Sequence, residues 1–127
     1  MIAFSNRQQY LDGAAVASSA ACLVHCLVLP ALAVLIPTMS AFLAVPESFH
    51  EWALALAMPT SAVALGAGFR RHRAMRPAML ALPGLTLLAA GAFMATTEQA
   101  ETVLTVAGAV LLATGHALNW RAARHAL

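Results

Sequence analysis

The chain has 127 residues, of which 61% are hydrophobic and 9% are charged, and its mean hydropathy is +0.79. This composition excludes an ordinary soluble domain and predicts an integral membrane protein. The formal net charge of only +2 argues against a nucleic-acid-binding surface, so no nucleic acid partner is expected. Cys22 and Cys26 are too few for a disulfide framework, and we expect both to be reduced thiols.

Four apolar segments follow one another along the chain, each long enough for the roughly 20 residues that a membrane-spanning helix needs. They predict helices at residues 14–44, 52–69, 77–95 and 102–120. The junctions between them are short, which favours antiparallel neighbours. The expected fold is therefore an all-α integral membrane four-helix bundle that forms a single domain over residues 1–127.

The charged residues divide between the two ends of the predicted bundle. Antiparallel helices place all seven arginines on one side of the membrane and four of the five acidic residues on the other. The arginines are Arg7, Arg70, Arg71, Arg73, Arg76, Arg121 and Arg124. Because positive charge favours the cytoplasmic side, we expect a multi-pass protein with both termini in the cytoplasm.

Cys22, His25 and Cys26 form a Cys-x-x-His-Cys cluster inside the first apolar segment. Polar side chains at membrane depth indicate a functional site, and soft sulfur beside an imidazole favours a thiophilic metal ion. Helical spacings of three and four residues put all three side chains on one face. Pro30 clashes with the carbonyl four residues earlier, which frees the Cys26 oxygen. Alternatively, the cysteines fill space and the histidine hydrogen-bonds across helices.

Two further histidines are predicted at the depth of this cluster. Counting about 20 residues inward from the outer end of the first segment puts Cys22 and Cys26 in the cytoplasmic third of the membrane or at its inner interface. The ends of the second and fourth helices bring His72 and His116 to a similar depth. His116 is a candidate metal ligand, but hydrogen bonds from His116 and Asn119 to another helix explain it equally well. His72 lies among arginines, which favours an ordinary interfacial residue over a ligand.

Glu47, His50 and Glu51 lie together at the predicted outer start of the second helix. Two carboxylates and an imidazole can receive a cation from outside. A solvated helix start explains them more simply, because acidic residues are stabilised by the N-terminal dipole.

Glycines spaced seven residues apart occur in the third and fourth segments, as Gly84 with Gly91 and Gly108 with Gly115. Each pair presents a small face against which another helix backbone can pack closely. We therefore predict that these glycines serve helix packing.

Several stretches match one known family of membrane proteins. They are Cys22-Leu-Val-His25-Cys26-Leu-Val-Leu-Pro30, Phe49-His50-Glu51-Trp52 with Pro59 and Ser61, Arg71-His72-Arg73, and Gly115-His116 with Asn119 and Arg121. On these stretches the chain resembles the MerC family of mercury-resistance membrane proteins from Ala17 to Arg124. The resemblance implies four transmembrane helices in the bacterial inner membrane and inward movement of Hg²⁺. It also implies that Cys22 and Cys26 relay the metal ion.

The chain departs from the family's characterised members, which carry an additional cytoplasmic cysteine pair, because it has no cysteine after Cys26. Its histidines suit Zn²⁺, copper or iron at least as well as Hg²⁺. We expect a carrier of a thiophilic metal ion, not an enzyme, whose partners are the ion and the lipid bilayer. One alternative is a membrane metalloprotein or redox enzyme that binds haem, iron, copper or zinc through His25, His50, His72 and His116. Another is an accessory subunit without a site, and a homo-oligomer is also left open.

Overall fold

A computed structural model describes residues 2–28 and 48–125, together with Leu32 and Leu35. The α-helices are α1 (Ile2–Leu23), α2 (Phe49–His72), α3 (Arg76–Met94) and α4 (Glu98–His125), and a π-helical turn, Val24–Val28, continues α1. The described residues contain no strand. The all-helical fold predicted from the sequence is confirmed.

Helices α2, α3 and α4 are long and apolar enough to cross a membrane, with 24, 19 and 28 residues and mean hydropathies of 1.5, 1.7 and 1.4. Large apolar side chains such as Trp52, Leu82 and Phe93 point outward from these helices. An apolar exterior suits a protein in lipid, where polar groups must be satisfied internally. The cores of the three predicted segments lie within these helices, and α4 continues past both predicted ends.

Helix α1 begins at Ile2 rather than at residue 14. Hydropathy placed its start after Asp12 because the preceding residues are mostly polar, yet those residues are helical. Asp12 contacts His116 and Asn119 near the end of α4, and Ser19, later in α1, lines a cavity with Thr105, which is earlier in α4, so α1 runs antiparallel to α4. Residues 29–44 of the predicted first helix lie outside the described residues, apart from Leu32 and Leu35.

The α2–α3 junction is a tight turn that fixes the position of His72. Arg73 adopts a left-handed conformation (φ 56°), and its N–H donates a hydrogen bond of 2.9 Å to the Phe69 carbonyl, which closes the end of α2. Pro77 lies in the first turn of α3, where its missing N–H costs nothing. The helix directions gather the arginines at this end of the bundle, and the side of the membrane that this end faces stays a prediction.

Helices α3 and α4 pack through their backbones. A Cβ atom added to Gly84 would lie 2.7 Å from the Leu112 nitrogen, and one added to Gly108 would lie 2.8 Å from the Gly84 oxygen. A Cβ atom on Gly115 would lie 2.9 Å from the Pro77 oxygen. Only glycine allows such an approach, so the predicted packing role is confirmed for these three residues.

Candidate functional site

A buried polar network joins α1, α2 and α4. Asp12 of α1, Ser61 of α2, and His116 and Asn119 of α4 are each at most 1% exposed. The His116 Nδ1–H donates to the Asp12 carboxylate at 2.7 Å, and the Ser61 hydroxyl lies 3.1 Å from His116 Nε2. With the ring hydrogen on Nδ1, Nε2 accepts the Ser61 hydroxyl hydrogen. Three helices are thus held together at one level of the bundle.

Asn119 is the branch point of this network. Its side-chain nitrogen donates to both Asp12 oxygens, at 3.0 and 2.9 Å, and to the Ala64 carbonyl at 3.1 Å. Its side-chain oxygen accepts a hydrogen bond of 2.9 Å from His72 Nε2. A Cβ atom on Gly68 would overlap the Asn119 amide, so glycine is needed there to admit it. The amide is therefore fully used, as the burial of a polar group requires.

The tautomer of His72 follows from its two contacts. The Ala74 N–H donates to His72 Nδ1 at 3.0 Å, so Nδ1 accepts and Nε2 carries the hydrogen that is donated to Asn119. The turn after α2 thus sets the ring orientation of His72. Asn119 therefore links the His72 ring of α2 to the Asp12 carboxylate of α1 through hydrogen bonds.

At the other end of the bundle, His50 of α2 pairs with Glu101 of α4. The distance between His50 Nδ1 and Glu101 Oε1 is 2.7 Å, and the His50 ring meets Phe49 edge-on. The sequence had grouped His50 with Glu47 and Glu51 as a possible site of cation uptake. Glu47 lies outside the described residues, and Glu51 is exposed in the first turn of α2. The carboxylate that contacts His50 belongs to α4, which local spacing could not indicate.

The backbone of the Cys22, His25 and Cys26 cluster crosses a change in helix type. Cys22 belongs to α1, while His25 and Cys26 belong to the π-helical turn. Such turns interrupt α-helices frequently at functional sites. The one-face argument assumed a regular α-helix from Cys22 to Cys26, which the backbone does not follow. The side chains of all three residues lie outside the described part of the structure, so their ligand role stays a prediction.

The expected common depth of the cysteines and His116 does not hold. Asp12, rather than Cys22, lies beside His116, because α1 starts much earlier than hydropathy indicated. Ten residues of helix separate Asp12 from Cys22, a rise of about 15 Å. The cysteine-bearing segment therefore lies toward the His50–Glu101 end of the bundle.

Among the residues whose side chains are described, no group of three or more His, Cys, Asp or Glu residues is arranged to hold a metal ion. Both ring nitrogens of His72 and of His116 have hydrogen-bond partners within the network or its adjoining turn. Their predicted role as metal ligands stays a prediction. Sequence reasoning anticipated that His116 and Asn119 bond to another helix, but it missed Asp12 as their partner. An acidic residue just before an apolar run was the available signal.

Comparison with known families gives a match to the family described as MerC mercury resistance protein, over residues 12–121. The matched region begins at Asp12, contains the cysteine cluster and ends after the network residues of α4. Comparison with curated proteins gave no match, and comparison with solved structures gave none. The family match covers most of the chain, and three helices are able to span a membrane. The chain is therefore a multi-pass membrane protein that belongs to the MerC mercury resistance family.

Proposed function

We propose that this protein carries Hg²⁺ across the bacterial inner membrane toward the cytoplasm, with Cys22 and Cys26 as the ligands that pass the ion on. The observation that carries the proposal is the family match over residues 12–121, which includes both cysteines. Thiolate sulfur is the protein ligand best suited to a soft metal ion. His25, in the same cluster, is assigned a supporting role.

The π-helical turn supports this assignment. At Val24–Val28 the backbone hydrogen bonds change from the α-helical to the π-helical spacing, so the regular α-helix is interrupted within the cluster. Pro30 follows the turn, and its ring removes a further backbone donor. Movement of an ion by ligand exchange requires ligands that can change partners, and an irregular backbone allows this more readily than a regular helix.

The buried network contributes by fixing α1. Asp12 binds His116 and Asn119 of α4. These bonds fix the position of α1 along α4, and with it the position of the end of α1 that carries the cysteines. We assign Asp12, His116 and Asn119 to positioning, not to metal binding. The alternative of a redox protein with histidine-bound haem or metal is disfavoured, because the ring nitrogens of His72 and His116 already have hydrogen-bond partners.

The test is uptake of radioactive Hg²⁺ by vesicles that contain the purified protein. We expect Cys22→Ser combined with Cys26→Ser to reduce uptake to the level of protein-free vesicles. The matched control is Ala20→Ser combined with Val24→Ser, which has the same four-residue spacing at exposed positions of the same segment. Unchanged uptake after loss of both cysteines would remove the relay proposal.

A further inference from the structure

Two neighbouring cavities lie along the interface of α1 and α2, with volumes of about 40 and 210 Å³, and residues of α3 and α4 also line the smaller one. They share a set of wall residues, so they adjoin each other, and together we call them the space between α1 and α2. The shared residues are Ser18, Ser19, Ala53, Ala57 and Leu112. The space extends along α2 from His50 to Ser61, a rise of about 16 Å.

A buried polar atom without a protein partner belongs to a residue that lines the smaller cavity. Thr105 is 1% exposed, and its Oγ1 has no hydrogen-bond partner among the described residues. Ser19 and the paired His50 line the same cavity. A volume above about 15 Å³ with several polar groups is enough for an ordered water molecule. A water molecule within reach of the Thr105 hydroxyl would satisfy it, and without one its burial costs free energy.

The larger cavity leads from this point to the buried network. Thr60 and Ser61 of α2 form part of its wall, and the Ser61 hydroxyl contacts His116. The space therefore reaches from the His50–Glu101 pair at one end to the network at the other. The residues that line it include five with hydroxyl groups among alanines and leucines, namely Ser18, Ser19, Thr60, Ser61 and Thr105. The Thr60 hydroxyl bonds to the Leu56 carbonyl of its own helix, and the Ser61 hydroxyl contacts His116.

Charge on these walls is confined to one end. Apart from the imidazole of His50, no described residue that lines either cavity is ionisable. An isolated ion in such surroundings is strongly disfavoured because nothing replaces its hydration shell. A neutral molecule of similar size meets no such barrier. The wall chemistry thus selects against a bare divalent cation.

We propose that the space between α1 and α2 is a hydrated passage that admits the metal as an electrically neutral complex, such as Hg(II) with two anionic ligands. This inference rests on the proposed mercury transport and adds to it the route and the charge state of the cargo. Ser18 and Ser19 lie within one helical turn of Cys22 along the chain, so the passage runs beside the segment that carries the thiols. There the two bonds from Hg(II) to its anionic ligands break as two Hg–S bonds form, and the two thiol protons leave together with the two released anions, so no net charge remains in the passage.

The passage is tested without mercury transport, by thiol labelling of vesicle-bound protein that lacks both native cysteines. Ala57→Cys places a thiol on the wall shared by both cavities, whereas Ala55→Cys places one on the same helix at an exposed position that lines neither. We expect N-ethylmaleimide, which is small and neutral, to label the Ala57→Cys variant at least tenfold faster, because a thiol needs water to ionise and react. Equal rates would mean that lipid or protein fills the space, and would overturn the passage.

The charge of the cargo is tested by uptake of Hg(II) in excess chloride, with a membrane potential imposed by potassium and valinomycin. We expect the protein-dependent rate to stay within about twofold between 0 and 100 mV. For a divalent cation, the same potential changes the equilibrium accumulation more than about 1,000-fold, so a strongly voltage-dependent rate would overturn the neutral cargo. Protein-free vesicles correct for direct permeation through lipid. Uptake no greater than that of the double cysteine variant would contradict the mercury carrier itself, while the labelling result would still decide the passage.

Discussion

The two sides of α4 are built differently. Toward α3 it presents glycines, and the two backbones touch at Gly84 and Gly108. Among the described residues, no side-chain hydrogen bond joins α3 to α4. Toward α1 and α2 it presents His116 and Asn119, which hydrogen-bond to both helices. One side is held by close packing and the other by polar contacts.

This difference shows how a small membrane bundle can combine rigidity with internal space. In lipid, helices gain little from burying apolar surface, so they associate through close van der Waals contact or through hydrogen bonds. Close contact fills the interface between α3 and α4. Hydrogen bonds instead hold α1 and α2 to α4 at one level and leave cavities between α1 and α2 elsewhere. The space that the proposed neutral complex would use therefore lies on the polar side.

The largest expected effect comes from breaking the polar side at Asp12. Asp12→Ala removes the acceptor of His116 Nδ1–H and of two Asn119 contacts, leaving buried donors without partners. We expect the free energy of unfolding in detergent to fall by about 2–4 kcal/mol, less than the upper values for soluble proteins because membrane hydrogen bonds are weaker on average.

Glu98→Ala is the control for this change, since Glu98 is an exposed acidic residue in the first turn of α4, and it should alter stability by less than about 0.5 kcal/mol. Combining Asp12→Ala with Asn119→Ala should cost less than the sum of the two single changes. Additive losses, or a small effect of Asp12→Ala, would mean that the network does not hold α1.

A smaller effect is expected from breaking the packed side at Gly84. Gly84→Ala adds a Cβ atom against the backbone of α4, and overpacking of this kind costs about 1–3 kcal/mol. Gly66→Ala is the matched control, because Gly66 has no atom within 4 Å of an added Cβ. That change should be neutral or stabilising by up to about 1 kcal/mol, since alanine favours helices more than glycine does. Similar unfolding curves for the two variants would contradict backbone contact between α3 and α4.

The smallest change in stability is expected from Thr105→Val. This variant tests whether water occupies the space on the polar side. If water satisfies the Thr105 hydroxyl, its loss should destabilise the protein by less than about 1 kcal/mol. A dry cavity instead predicts stabilisation of about 1 kcal/mol or more, because an unsatisfied buried group is removed. Thr114→Val serves as the control, since the Thr114 hydroxyl bonds to the Val110 carbonyl of its own helix at 2.7 Å. Thermal unfolding of the two variants side by side distinguishes these cases.

The sequence predicted the packed side better than the polar side, for physical reasons. Apolar length identifies spanning helices directly, and glycine spacing along one helix identifies a small face without knowledge of its partner. The bond between Asp12 and His116 joins residues 104 positions apart, and no local pattern encodes it. Hydropathy also placed the start of the first helix after Asp12, because it treats a carboxylate as exposed unless its partners are known.

The missing partner of Asp12 also made the predicted depth of the cysteines wrong. With the start of α1 set too late, Cys22 was placed at the level of His116, although Asp12 occupies that level. The sequence also did not predict Glu101 as the partner of His50, since the two residues belong to different helices. The sequence did predict the family correctly, and the family match covers residues 12–121, while the metal-binding role of the cysteine cluster stays a prediction.

The π-helical turn at Val24–Val28 has a consequence for how this chain can be altered. A π-turn is an α-helix that accommodates one surplus residue, so removing a single residue there should restore the ordinary ladder of bonds. Because each residue of an α-helix turns the chain by about 100°, the deletion would rotate the end of the turn about the helix axis and leave the part of α1 that Asp12 fixes in place. The turn thus sets the angle about the helix axis between the fixed part of α1 and the residues that end at Val28.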